Sequence, residues 1–226
     1  MLKEFFEKIS EKPEKLAEAL SGLAKDPMTF VVLAVLLIAV IALFRMRKIQ
    51  FTAKLMSQIG LAVALAVVLN MFTIYRMPMG GSVTLASMVP IFLIGFAYGP
   101  EAGMLTGFIF GIIDMLLGAG IYHPMQVILD YPLPFMFVGL SGAFPKHANA
   151  GMLIGSLARL MCHFLSGFIF FGEYAPQGTH PVIYSLTYNG SFLLADLFIA
   201  MLVMNIIPVR KLVKMLNPKA PEVNMW

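Results

Sequence analysis

The chain has 226 residues, 59% of them hydrophobic and 12% charged, with a formal net charge of +4. Its mean hydropathy is +0.85. A soluble domain carries about 25% charged residues, so this composition excludes an ordinary water-soluble enzyme. A nucleic-acid-binding stripe is excluded too, because the lysines and arginines sit between and after apolar runs, as membrane flanks do. The length accommodates roughly six or seven spans of about 20 residues with short loops, and the lone Cys162 rules out an internal disulfide.

Residues 1–27 read as an amphipathic arm. Leu2, Phe5, Phe6, Ile9, Leu16, Leu20 and Leu23 recur at helical spacing with a break at Pro13, and lysines and acids lie between them. Such an arm lies at a membrane surface or against a partner; a solvated arm is the alternative. Met28 to Phe44 is an uncharged apolar run that just reaches spanning length, and residues 28–48 are expected to form an extra N-terminal transmembrane helix. The following spans are Leu55–Ile74, Val83–Tyr98, Ala102–Leu117, Pro124–Phe144, Gly151–Phe171 and Tyr184–Ile207. Turn segments separate them: Met77-Pro78-Met79-Gly80-Gly81, Gly99-Pro100-Glu101, Gly118-Ala119-Gly120, Pro145-Lys146-His147 and the polar stretch 172–181. The expected architecture is all-α and membrane-embedded. Its parts are the arm 1–27, the extra helix 28–48, a membrane domain 49–212 and a cytoplasmic tail 213–226.

Charge sets the orientation. Arg45, Arg47, Lys48, Lys54, Lys146, Arg210, Lys211, Lys214 and Lys219 fall on one side of this arrangement, against Arg76 in the loops of the other. The first side is therefore cytoplasmic, although the lysines of the arm would then lie outside if residues 28–44 span.

Ionisable groups within spans are costly unless paired or hydrated. They are Asp114, Asp130, Arg159, His163 and Asp196. Asp114 and Asp196 sit in no recognisable polar constellation and read as structural, while Arg159 reads equally as a helix brace or a cavity group. Asp130 is an acid with no partner evident in its span, and Tyr131 follows it. Gly167 lies four residues after His163, and Phe171 one turn further, on one helical face. A glycine there lets a flat ligand approach the backbone. Tyr184 and Asn189 open the last span. A carboxylate, an imidazole, a phenol, an amide and aromatic rings near the outer span ends suit a flat cationic heteroaromatic ligand, held by charge, stacking and cation–π attraction. No metal site is expected, since His123, His163 and His180 lack ligand spacing. No phosphate-binding loop or nucleophile motif is present either. Gly60/Ala64 and Ala62/Ala66 place small residues four apart, which lets helices pack closely.

Four stretches carry a resemblance to a known family. They are Met77-Pro-Met-Gly-Gly-Ser-Val-Thr-Leu-Ala86, His123-Pro-Met-Gln-Val-Ile-Leu-Asp-Tyr131, His163-Phe-Leu-Ser-Gly-Phe-Ile-Phe-Phe-Gly172 with Tyr174-Ala-Pro-Gln-Gly178, and Ile183-Tyr-Ser-Leu-Thr-Tyr-Asn-Gly190. Over about residues 55–212 the chain resembles the thiamine-specific substrate-binding subunits of energy-coupling factor vitamin transporters. The resemblance implies a six-helix fold with a thiamine pocket near the outer face, covered by the loop at residues 75–82. It implies that Asp130, Tyr131, His163, Gly167, Phe171, Tyr184 and Asn189 meet the ligand. It also implies that Gly60 and Ala64 contact a transmembrane coupling subunit, which works with two cytoplasmic ATPase subunits. No cofactor is implied. Some members carry glutamate in place of Asp130 and tryptophan in place of Phe171, and the run 28–44 lies outside the shared fold. Rival readings are another vitamin or a thiamine precursor as ligand, an intramembrane enzyme using Asp130, His163 and Glu173, and a scaffold without ligand.

Overall fold

The computed structural model describes residues 50–226 apart from Met79 and Ala119. The arm and the apolar run 28–44 lie outside the described residues. Helix α1 (Ala53–Met71) leads into a hairpin of β1 (Thr73–Arg76) and β2 (Ser82–Thr84). Then come α2 (Val89–Tyr98), α3 (Pro100–Gly118), α4 (Pro124–Asp130), α5 (Pro132–Val138), α6 (Ala148–Phe170), α7 (Pro181–Ile206) and α8 (Val209–Leu216). Short 3₁₀ turns lie at Gly139–Ala143, Pro145–His147 and Gly172–Tyr174. Four segments are long and apolar enough to cross a bilayer: Ala53–Met71, Pro100–Gly118, Pro145–Phe170 and Pro181–Ile206. With α2 and the α4–α5 pair they form a six-segment bundle. Large apolar side chains point outward along it, among them Leu61, Val68, Leu157, Phe198 and Ile206, as lipid contact requires.

Three expected spans are broken, each for a local reason. The span 55–74 leaves the helix at Met71, and the β-branched Thr73 and Ile74 enter strand β1. The span 83–98 starts as strand, with Thr73 opposite Thr84 and Arg76 opposite Ser82. Ala86 then takes a left-handed backbone (φ 59°) before Pro90 opens α2. The span 124–144 divides at Tyr131 (φ −121°, ψ −81°). Pro132 has no N–H for the helical bond to the carbonyl of Ile128, and its ring crowds that turn.

Glycines hold the broken segment in place. Gly103, Gly107 and Gly111 are four apart on α3; Gly107 and Gly111 lie against the backbone of α5 and its start, and Gly103 against Gly139 just beyond α5 and Gly95 of α2. A Cβ on Gly107 would fall on the Phe135 carbonyl, and one on Gly111 would lie 2.8 Å from Pro132 Cα. Only backbone-to-backbone approach fits here. It fixes the break, and with it the depth of Asp130 and Tyr131.

The two small-residue pairs of α1 separate. Ala66 is fully buried and Ala62 packs on the core, whereas Gly60 and Ala64 are exposed on the outward face. At the basic end, α8 buries Val209 and Val213 and turns Arg210, Lys211 and Lys214 outward. Residues beyond it fold back rather than trailing away. Asn224 N donates to Pro145 O, while Asn224 O and Met225 O accept from the first amides of α6, at Ala148 and Asn149. These bonds satisfy donors that a helix start leaves open.

Candidate ligand-binding site

A cavity of about 550 Å³ opens where the C-terminal ends of α1, α3 and α6 meet α4 and the first half of α7. That volume suits a small organic ligand, whose pockets span about 300–1,000 Å³. It lies at the bundle end remote from Lys146, Arg210, Lys211 and Lys214. By the positive-inside rule the basic end faces the cytoplasm, so the cavity faces outward. The hairpin forms part of its wall through Arg76, Pro78, Gly80, Gly81 and Ser82.

Asp130, Tyr131, His163, Gly167, Phe171, Tyr184 and Asn189 all line this one cavity. Asp130 ends α4 at the proline break. Its carboxylate is partnered, contrary to the expectation of an acid without a partner. Oδ2 accepts from Gln126 Nε2 at 2.6 Å, and Oδ1 lies 3.3 Å from His163 Nδ1. Gln126 is one helical turn before Asp130 on the same face. Phe171 meets Tyr122 edge-on with ring centroids 5.3 Å apart, and Tyr184 packs beside Tyr188 at 5.8 Å. Phe192 stands edge-on to the His163 ring.

Gly167 has a second reason to be glycine. A Cβ there would overlap the Ser185 hydroxyl and lie 2.8 Å from Asn189 Nδ2. Close approach of α6 and α7 needs it, besides any ligand. Asn189 Nδ2 in turn donates to His163 O at 3.1 Å and Ser185 O at 2.9 Å, so its amide is oriented before a ligand arrives.

Arg159 and Asp196 form a buried pair, with Arg159 Nη1 donating to Asp196 Oδ2 at 2.8 Å. The other oxygen of Asp196 accepts from Thr84 N at 3.0 Å and Thr84 Oγ1 at 2.8 Å. This carboxylate thus ties β2 and α6 to α7, which bears out its structural reading. Arg159 braces those helices, stacks 4.8 Å over the Phe135 ring and also lines the cavity. Asp114 departs from its structural reading: it lies on the cavity wall and accepts from Asn70 Nδ2 at 2.7 Å.

Residues that sequence reasoning passed over include Asn70, Gln126, Ser185 and Tyr188, all on the wall. The i, i+4 spacings Gln126/Asp130, Ser185/Asn189 and Tyr184/Tyr188 were the available signal. Of the other histidines, His123 caps α4 through Nδ1 and stacks on Phe170, and His180 caps α7. Among the described residues, no three His, Cys, Asp or Glu side chains come together as a metal set. Three buried polar atoms of wall residues have no hydrogen-bond partner among the described residues: Arg159 Nε, His163 Nε2 and Ser166 Oγ.

A multi-pass helical bundle with a polar, aromatic-lined cavity opening at one membrane face has the build of a membrane-embedded solute-binding protein. The family model described as "Thiamine transporter protein (Thia_YuaJ)" matches residues 56–216, and the chain belongs to that family. It is 38% identical over 160 residues to Thiamine transporter ThiT of Bacillus subtilis (strain 168), covering 63% of this chain and 82% of that protein. It is 33% identical over 140 residues to Thiamine transporter ThiT of Lacticaseibacillus paracasei, covering 53% of this chain and 70% of that one. The solved structure of ThiT from Listeria monocytogenes superposes with a TM-score of 0.65 at 26% identity, over 73% of this chain and 97% of that one. These relatives are named as transporters, not enzymes, and the chain is a multi-pass transporter of a prokaryotic cell membrane.

Proposed function

We propose that this chain is the thiamine-capturing subunit of an energy-coupling-factor-type uptake transporter. It takes thiamine from outside at high affinity and delivers it inward with a transmembrane coupling subunit and two cytoplasmic ATPase subunits. The observation that carries this reading is the convergence of Asp130, Tyr131, His163, Gly167, Phe171, Tyr184 and Asn189 on one outward cavity.

The chemistry of thiamine suits that wall. The quaternary thiazolium nitrogen has no N–H to donate, so it needs a nearby negative charge rather than a hydrogen-bond acceptor. Asp130 supplies such a charge, and Gln126 and His163 hold it in position. Asn189 and the imidazole Nε2 of His163 offer polar contacts to the aminopyrimidine. The rings of Phe171, Tyr184 and Tyr131 offer stacking faces. Nε2 of His163 and Oγ of Ser166 have no partner among the described residues, which supports a polar ligand, because buried polar atoms ordinarily find partners.

Delivery rests on the outward face of α1. Among the described residues, Gly60 has nothing within 4 Å of the place a Cβ would occupy. With Ala64 beside it, this face admits close approach of another helix, here assigned to the coupling subunit. Binding itself is assigned to the domain 49–212.

Mass spectrometry of the small molecule that co-purifies, followed by calorimetric titration of the stripped protein, tests the reading. Thiamine is expected in both. Saturable binding of riboflavin or biotin with none of thiamine overturns it. Co-purification with membrane and ATPase subunits after mild solubilisation tests the coupling.

A further inference from the structure

We infer that Gln126 is a positioning residue that links the outer rim at Gly120–Tyr122 to the orientation of the Asp130 carboxylate, so that rim closure and ligand retention are one event. This rests on the reading of the cavity as a thiamine site. Gln126 is 2% exposed, and its amide is fully committed. Nε2 donates to Asp130 Oδ2 at 2.6 Å and to Gly120 O at 3.2 Å, while Oε1 accepts from Tyr122 N at 3.1 Å. A flipped amide would set its oxygen against the carboxylate and its N–H₂ against the Tyr122 N–H. One orientation alone satisfies the site.

The rim end of this chain of bonds also reaches the cavity. The Tyr122 side chain is largely exposed, yet its ring meets Phe171 edge-on, and both residues line the pocket. The loop therefore cannot swing outward while Gln126 keeps all three bonds. Moving Gly120 and Tyr122 away pulls the amide off Asp130 and frees the counter-charge to turn from the cation. A charge-assisted bond of 2.6 Å is the strong one of the three, so the anion holds the rim as much as the rim holds the anion.

The test is a radiolabelled-thiamine chase on purified full-length protein. Gln126→Ala is expected to speed thiamine dissociation about tenfold or more, the scale of losing a hydrogen bond to a charged group. The same substitution in an Asp130→Asn background is expected to have a much smaller effect, which a general loss of packing would not show. Gln126→Glu keeps the acceptor for Tyr122 but removes both donors, and it too is expected to speed release. Hydrogen exchange on the unaltered protein is expected to slow at Gly120–Tyr122 when thiamine is bound. Wild-type dissociation rates in both variants, equal effects in both backgrounds, or unchanged rim exchange in the saturated protein would each overturn the inference. Absence of thiamine binding by the unaltered protein would instead bring down the functional reading.

Discussion

His163 Nδ1 lies 3.3 Å from Asp130 Oδ1, joining the last third of α6 to the end of α4 at the cavity. The contact fixes the imidazole plane, and Nε2 has no hydrogen-bond partner among the described residues. Asp130→Asn keeps the shape of this arrangement but removes its charge. Thiamine affinity is expected to fall by about 2–4 kcal/mol, tens- to several hundredfold, with little change in melting temperature. Calorimetric titration beside a thermal melt of the same sample checks this, and equal affinity would remove Asp130 as the counter-charge.

Arg159→Met should act in the opposite way, on folding first. It strands the Asp196 carboxylate among buried groups, keeping only the Thr84 donors. Breaking one side of a buried pair costs about 3–5 kcal/mol. The expected result is a strongly lowered melting temperature, partly restored in the double variant Arg159→Met/Asp196→Leu. Limited proteolysis near residues 73–84 should then show the hairpin released from α7.

Gly107→Ala is the smallest change with a large expected effect. Its methyl group would meet the Phe135 carbonyl, which is backbone and cannot rotate away. Overpacking of this kind costs about 1–3 kcal/mol. Separation of α3 from α5 also shifts the break at Tyr131, so thiamine binding should weaken along with stability. Gly60→Ala, at an open position on α1, should leave both unchanged. A melt and a titration of each protein make the comparison.

Phe171→Trp enlarges an aromatic face of the cavity. An indole there is expected to tighten thiamine binding severalfold and to have its emission quenched by the bound cation. A fluorescence titration reads both effects. Measured against the parent protein, whose one indole is Trp226, an added signal that thiamine does not alter would place residue 171 off the ligand.

Much of this was legible beforehand, and the limits have physical causes. Apolar runs bounded by charge and proline marked the membrane segments, because lipid demands both features. His163, Gly167 and Phe171 could be placed on one face by helical spacing alone; Asp130, Tyr184 and Asn189 stood out as polar groups in or opening apolar spans, and the resemblance to transport subunits added Tyr131 and joined them all in one pocket. Val83 and Thr84 read as the start of a span because hydropathy does not distinguish an apolar strand from a helix. Their strand state depends on pairing with Thr73 and Tyr75 and on the distant Asp196. Pro132 and Pro134 stood in plain view as breakers, yet the apolar run through them suggested continuity. Asp114 gained its place on the cavity from Asn70, 44 positions earlier in the chain, and no local pattern joins the two.

The return of the C-terminal residues to cap α6 has a spectroscopic consequence. It fixes the backbone just before Trp226, the single indole of the chain, at the end of the bundle opposite the cavity, with that side chain 86% exposed. Direct contact with an occupant of the pocket is out of its reach. A change in its emission caused by occupancy of the pocket would therefore be a message carried through the helices to the inner face.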